Sequence, residues 1–383
     1  MCYRKKNNSA PGLNGISYQV YKFCPRVREV LWEILHRVWS ERTIPFSWQI
    51  ARIRQLAKSD DTSHPSLMRP ISVLNVEGRL FFTIYQEKMA SYMLKNNYIK
   101  QGVQKAFLEN VAGCIEHTTL LAEAIRDARE RRRAICIVWI DIANAYGSVR
   151  HNLLQFALRW YHVPTSICEL MWSYYQGLCV RVCSKSWTTD LIPIGIGVPQ
   201  GCTASTINFD IVFQTLLDYH THLAGDIGYK IANTNILVSK PTYADDVGLV
   251  SSSVLSCQRS VESFKMALDW AQTLKLKISK CRSLAFRLFQ QGEQTLFKKL
   301  QKTHYSNFDP LIKIGKEIIK FIGKDEVLFK YLGRKFQADM GVNLIISDIS
   351  AKIKSWLQLV DKTSLTGPMK AWIVNQHLCL KVA

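Results

Sequence analysis

The chain has 383 residues, 48% of them apolar, which suits a large packed core and excludes a disordered or fibrous chain. Lys and Arg total 50 against 30 acids, a formal net charge of +20, and so large an excess favours a polyanionic partner, nucleic acid or an anionic membrane, over mere solubility. Eleven cysteines without a C-x-x-C pair or zinc spacing, no signal peptide in residues 1–6 and no apolar run of about 18 residues argue against a secreted disulfide scaffold, a zinc module and a membrane span. The expectation is an intracellular protein, nuclear or cytoplasmic and not secreted, with reduced and mostly buried thiols.

Residues 9–16 place Pro11-Gly12 and Asn14-Gly15 in a turn-rich loop. Apolar spacing at Val27, Val30, Leu31, Ile34, Leu35, Val38 and Trp39 predicts a helix over 26–42, stopped by Pro45. Residues 52–58 and 67–74 flank a polar loop, 59–66, and read as a strand pair with Lys58 and Arg69 near the loop. Presented inward, these two cations could grip a triphosphate; each alone reads as a solvated surface charge. A helix follows over 75–93, then a loop over 101–107. The next helix, 111–133, has Ile115, Thr119, Leu120, Ala124 and Ile125 on one face. It ends in Arg129-Glu130-Arg131-Arg132-Arg133, which complements the helix dipole or touches a phosphate backbone.

Residues 134–140 form an unbroken apolar run, the mark of a central strand buried on both faces. It delivers Asp141 at its end, where a merely solvated charge is a poor explanation. Helices are predicted over 152–161 and 166–176, and a strand pair over 178–184 and 186–192. Residues 194–205 carry Gly195, Gly197, Pro199 and Gly201, a loop whose backbone can approach a ligand closely. The helix after it, 203–223, has Ile207, Ile211, Leu216 and Leu217 as core; His220 and His222 point apart on it and make no metal pair.

Tyr243-Ala244-Asp245-Asp246 lies between the apolar runs 236–238 and 247–250, which reads as a hairpin with the acids at its tip. Adjacent acids repel unless something positive sits against them. Mg²⁺ suits such hard oxygen ligands, and a water-facing Asp-Asp turn is the plain alternative. A helix over 254–274, a basic stretch over 275–282 and a strand over 283–286 follow. From Lys275 to Lys335 there are 15 Lys or Arg against 5 acids. Residues 329–336 alternate apolar and basic in a hairpin-like pattern. Amphipathic helices over 345–359 and 369–380 close the chain, with Trp356 and Trp372 expected to pack between them.

This order of elements fits an α+β, split βαβ, ferredoxin-like arrangement. Packed side by side, Asp141, Asp245 and Asp246 could hold two Mg²⁺ about 3.5–4 Å apart, an arrangement suited to in-line phosphoryl transfer.

The sequence resembles reverse transcriptases of non-LTR (LINE-type) retroelements. The matching pieces run in family order over about residues 10 to 336. They are Pro11-Gly12-x-Asn14-Gly15-Ile16, Lys58 with Arg69-Pro70-Ile71-Ser72, Gln104-Lys105-Ala106-Phe107, and Asp141-x-x-x-Ala145-Tyr146-x-x-Val149-x-His151. After these come Gly197-Val198-Pro199-Gln200-Gly201-x-x-x-Ser205, Tyr243-Ala244-Asp245-Asp246, Lys280 and Phe329-Lys330-Tyr331-Leu332-Gly333. Any one alone is weak; the aspartate–aromatic motif, the Gln-Gly pair and the acid tetrapeptide together are highly specific.

The resemblance implies a right-hand polymerase: fingers over 1–110, a palm with finger insertions over 111–340, and a partial helical thumb over 341–383. It implies an RNA-directed DNA polymerase that joins a dNTP to a primer 3′-hydroxyl, with template RNA and a DNA primer or target as partners and no membrane or evident protein partner. Asp141, Asp245 and Asp246 would be catalytic and, with the Ile142 carbonyl, would hold two Mg²⁺, Mn²⁺ being able to substitute. Lys58 and Arg69 would grip the triphosphate, Tyr146 would exclude a ribose 2′-hydroxyl, and Gln200 and Gly201 would lie against nucleotide and template. Lys280 would neutralise or protonate pyrophosphate, and Phe329, Lys330, Tyr331, Leu332 and Gly333 would form the primer grip.

Four departures stand out. Asn14 replaces the usual Asp, Tyr146-Gly147 the commoner Phe-Asp, and Thr206 the usual Pro. The thumb reads as cut short at Ala383, with no endonuclease, zinc-knuckle or RNase H segment. Two alternatives stay open: a degenerate or domesticated element that binds RNA without polymerising, and an intron maturase-like protein.

Overall fold

The computed structural model describes residues 3–378 other than 4, 8, 59–62, 65–66, 101, 109–110, 185, 292, 294–301, 324–327 and 338–342. Most of the expected polar loop over 59–66 and the end of the last expected helix, 379–380, therefore lie outside the described residues.

The strand Ile135–Ile140 is buried at every position, and its two faces feed two separate cores. Cys136, Val138 and Ile140 pack with Phe209, Val212, Phe213 and Phe264. Ile135, Ile137 and Trp139 pack instead with Leu121, Ile125, Tyr331 and Phe336. This is the two-residue alternation of a strand, with an apolar layer on each side, so no polar position is left in the run.

The strand sits mid-sheet, in the order His304–Asn307, Arg282–Phe289, Ile135–Ile140, Asp246–Ser251, Thr242–Tyr243; Lys320–Phe321 also pairs with Arg282–Phe289. The central pairings are antiparallel, with Val247 opposite Ile140 and Arg282 opposite Trp139. Helices Thr203–Ala224 and Val254–Ala271 pack against one another beneath it. The first of these is buried almost all round, including the expected core residues Ile207, Ile211, Leu216 and Leu217. A second sheet, away from this one, runs Met68–Val73, Ile50–Ala57, Cys179–Val182, Ile192–Pro193. Residues distant in sequence thus complete the N-terminal sheet.

Several expectations need correction. The acid hairpin exists, but its upstream arm is not 236–238. Leu237–Val238 pairs with Tyr229–Lys230, and the arm is built by Ser239 and Pro241, whose carbonyls accept from Val250 and Gly248, and by Thr242–Tyr243. A proline can accept in a ladder though it cannot donate, which is why Pro241 is tolerated there. The expected strand over 186–192 shrinks to Ile192–Pro193 and a bridge between Cys183 and Thr188.

Helix Gly113–Glu130 buries His117, Thr118, Leu121, Ala124, Ile125 and Ala128. Ile115 is exposed, so the buried stripe is rotated from the expected one towards His117 and Thr118, whose Nε2 and hydroxyl meet backbone carbonyls. In helix Pro25–Glu41 only Leu31, Leu35 and Val38 of the seven apolar positions are buried. Trp372 is exposed rather than packed between the last helices, Asn343–Asp361 and Gly367–Ile373. Of the basic run after Ala128, Arg131 and Arg133 pair with Asp127, and Arg133 also lies over the Tyr229 ring, so these two are structural. Among the described residues, no helix is long and apolar enough to cross a membrane, and five of nine cysteines, all unpaired, are buried.

Candidate active site

Asp141 follows the last residue of the central strand, and Asp246 is the first residue of its neighbour. The ladder between the two strands ends at Val247 and Ile140, so Asp141 and Asp246 stand just beyond it, at adjoining ends of neighbouring strands. Asp245 occupies the two-residue turn between the paired positions Tyr243 and Asp246. Asp141 and Asp246 line one cleft of about 450 Å³ with Lys280, Arg282, Trp139 and Phe329 to Gly333. A larger recess, about 890 Å³, is lined by Arg150, His151 and Trp172 and carries no acid.

The acids feel one another. Burial, then the charges of Asp245 and Asp141, push the Asp246 carboxyl up to about 6, while Lys280 pulls it down. Asp245 is raised by burial and by Asp141. Lys280 Nζ lies 3.4 Å from Asp141 Oδ2, and that oxygen is buried without a hydrogen bond. Buried carboxylate oxygens are normally satisfied, so this one fits a site for a hard cation. Among the described residues, however, no three His, Cys, Asp or Glu side chains are gathered into a ready metal cage. The acids fit a divalent metal by the chemistry of their hard oxygen donors, and Lys280 is paired with Asp141.

Residues 56–336 match the family described as reverse transcriptase (RNA-dependent DNA polymerase). The chain belongs to the reverse transcriptase family. Among curated proteins it is 25% identical over 331 residues to the Pol polyprotein of the type-2 retrotransposable element R2DM of Drosophila melanogaster, covering 86% of this chain and 29% of that protein. It is 25% identical over 308 residues to the Pol polyprotein of a type-1 R2 element of Nasonia vitripennis, covering 80% and 28%. These relatives make it the reverse transcriptase domain of a non-LTR element, and the chain spans under a third of the length of either. A solved structure of apo telomerase from Candida tropicalis, truncated from its C-terminal domain, aligns with 81% of this chain and 59% of that one, at 12% identity and a TM-score of 0.47.

The other expected site residues of this reverse transcriptase domain fall in three groups. In the N-terminal sheet, Leu56 pairs with Arg69, and the Lys58 N–H donates to the Leu67 carbonyl. Lys58 and Arg69 thus stand diagonally on one face, both exposed rather than turned inward. Gln200 and Gly201 lie against the Ser72 end of this sheet. The Gln200 carbonyl accepts from Ser72 N–H at 2.6 Å. A Cβ at Gly201 would fall 2.6 Å from the Ser72 carbonyl oxygen, and its φ is +108°, so only glycine fits.

Tyr146 stacks flat on Phe209, with centroids 4.5 Å apart and planes 7° apart. Burial, then the charges of Asp210 and Asp245, raise its hydroxyl. At Gly147 a Cβ would lie 2.3 Å from the end of the Asn144 side chain, which would have to turn aside. Asn14 is also explained, since its amide donates to Glu77 at 3.0 Å, which an aspartate could not do.

Ile142, next to Asp141, is buried on a short strand paired with Leu276 and does not line the cleft. Residues 329–333 form a hairpin with Arg334–Gln337, turning at Leu332 and Gly333, both with positive φ, as a tight two-residue hairpin requires. Its aromatic face packs Phe329, Tyr331 and Phe336 around Trp139, at 5.0, 6.1 and 5.6 Å.

Sequence reading missed Arg282, which lines the cleft, and Asp210. Asp210 is wholly buried in helix Thr203–Ala224. Neither of its oxygens is hydrogen-bonded, and burial alone raises its carboxyl far above the ordinary range. The helix pattern at Ile207 and Ile211 put this position within the core, but a lone acid in a helix reads as surface.

Proposed function

We propose that this chain is an RNA-directed DNA polymerase, transferring a nucleotidyl group from a dNTP to a DNA primer 3′-hydroxyl on an RNA template. The observation that carries the reading is the one cleft that Asp141 and Asp246 line together, with Lys280 beside Asp141.

Asp141, Asp245 and Asp246, with the Ile142 carbonyl, would hold Mg²⁺, or Mn²⁺ in its place. Bound there, the metal would lower the pKa of the attacking hydroxyl and take up charge on the triphosphate. The chain's own groups do the rest. Lys280 neutralises the leaving pyrophosphate and is placed to hand it a proton. Lys58 and Arg69, on one exposed face, grip the triphosphate. Tyr146, held flat by Phe209, blocks a ribose 2′-hydroxyl. Phe329, Lys330, Tyr331, Leu332 and Gly333, seated on Trp139 through their aromatic rings, hold the primer end. Residues 1–110 serve as fingers, 111–340 as palm with finger insertions, and 341–383 as the start of a thumb. The +20 charge draws the chain to template and primer.

The test is Mg²⁺-dependent extension of a DNA primer on RNA by the purified chain and by Asp245→Asn and Asp246→Asn. Extension should be lost in both variants while RNA binding is kept. Undiminished extension in either variant, or RNA binding without extension by the unaltered chain, overturns the reading.

A further inference from the structure

Gln104 has no exposed surface, and its amide bonds to both backbone groups of Ala244 in the acid hairpin and to the Ala106 N–H. The segment around it runs beside the outer strand of that hairpin. Thr242 N–H donates to the Val103 carbonyl at 2.8 Å, and Lys105 N–H to the Thr242 carbonyl at 3.2 Å. Gln104 and Thr242 form a parallel bridge. Beyond Thr242 the two backbones part. Ala244 then turns into the left-handed region, φ 55°, an uncommon conformation for a residue with a Cβ.

Ala244 is buried, so its N–H and C=O need partners within the protein. Gln104 supplies both. Its Oε1 accepts from Ala244 N–H at 3.0 Å and from Ala106 N–H at 3.1 Å, and its Nε2 donates to the Ala244 carbonyl at 3.3 Å. Two N–H groups meet one side of the amide and a carbonyl meets the other, so the amide has only one workable orientation. The side chain thus reproduces the donor–acceptor pair of a strand residue where no strand runs. No other side chain substitutes. Asparagine is a methylene short, glutamate lacks the donor, and methionine lacks both groups.

We infer that Gln104 is a positioning residue that fixes Asp245 by clamping the backbone of Ala244. Asp246 is held by the sheet itself, since it begins a strand. Asp245 lies in the turn, so its direction is set by the dihedrals of the preceding residue. The clamp therefore sets one acid relative to the other. The clamp is itself anchored, with His117 Nε2 3.0 Å from the Thr242 carbonyl and Lys105 ion-paired with Glu116. The inference deepens the polymerase reading and rests on it.

The test compares Gln104→Met, which keeps the volume and loses the bonds, with the unaltered chain. Hydrogen–deuterium exchange without metal is read on the peptide spanning residues 242–246. The Ala244 amide should exchange about tenfold faster or more, with the central strand unchanged. In primer extension, kcat should fall about 10- to 100-fold and the half-saturating Mg²⁺ concentration should rise, with the dNTP KM little altered. A merely structural loss would instead speed exchange across the whole sheet. Unchanged exchange at 242–246, or unchanged kcat and Mg²⁺ requirement, overturns the inference. Should Gln104→Met not fold, Gln104→Glu decides: it keeps the oxygen that both N–H groups use, so the Ala244 amide must stay protected, and rapid exchange there overturns the clamp. The exchange measurement needs no catalysis, so an inactive chain would refute the polymerase reading and leave the clamp judged on its own.

Discussion

The Tyr331 hydroxyl donates a 3.0 Å hydrogen bond to the Pro241 carbonyl, with the Asp246 carbonyl 3.5 Å away. The hairpin of residues 328–337 is therefore tied by a side chain to both arms of the acid hairpin. Tyr331 and Pro241 are both buried, and Tyr331→Phe takes one of two donors from the Pro241 carbonyl, Gly248 N–H being the other. Such a loss costs about 1 kcal/mol. Denaturant unfolding should show a drop of that size, and extension should slow, because Asp246 loses a tether. A variant as stable and as fast as the unaltered chain would show that the contact carries neither load.

Asp210 gives a prediction with a definite sign. Burial raises its folded carboxyl far above the ordinary value, whereas unfolded it titrates near 3.9. Across that interval the folded chain binds more protons, so this group's contribution is complete below about pH 4 and is lost as pH rises through the folded pKa. Asp210→Asn removes the ionisation and keeps the shape. It should therefore stabilise the protein at pH 8 and do so much less at pH 5. Urea unfolding at both pH values measures the difference. A variant less stable at pH 8 would mean that the acid is paired and ionised.

The central strand and its terminal acid were legible in the sequence because a fully apolar run has only one comfortable place, mid-sheet between two layers. Asp245 and Asp246 were legible because two adjacent acids between strands need an explanation. What escaped was set by partners far along the chain. The upstream arm of the hairpin depends on carbonyls of Ser239 and Pro241, not on apolar alternation. The buried face of helix Gly113–Glu130 includes His117, which reads as polar until the Thr242 carbonyl is placed beside it. Gln104 stood out only as a letter in a family pattern. Its work is a side chain mimicking a backbone, and no local pattern encodes that.

Tyr146 can be a selectivity device or a packing residue, and its geometry separates the two. The ring lies 4.5 Å from Phe209 and nearly parallel to it, and Phe209 is fully buried. A stacked aromatic pair contributes about 0.5–1.5 kcal/mol beyond its buried area, so Tyr146→Val must cost stability in either case. Ribonucleotide use discriminates, because only a ring standing where the 2′-hydroxyl would go can affect it. Steady-state incorporation of a ribonucleotide against the matching deoxynucleotide should shift at least about tenfold towards the ribonucleotide. Phe209→Leu, which leaves Tyr146 in place but unsupported, should shift the ratio in the same direction by less. Loss of stability in both variants with an unmoved ratio would assign Tyr146 to packing alone.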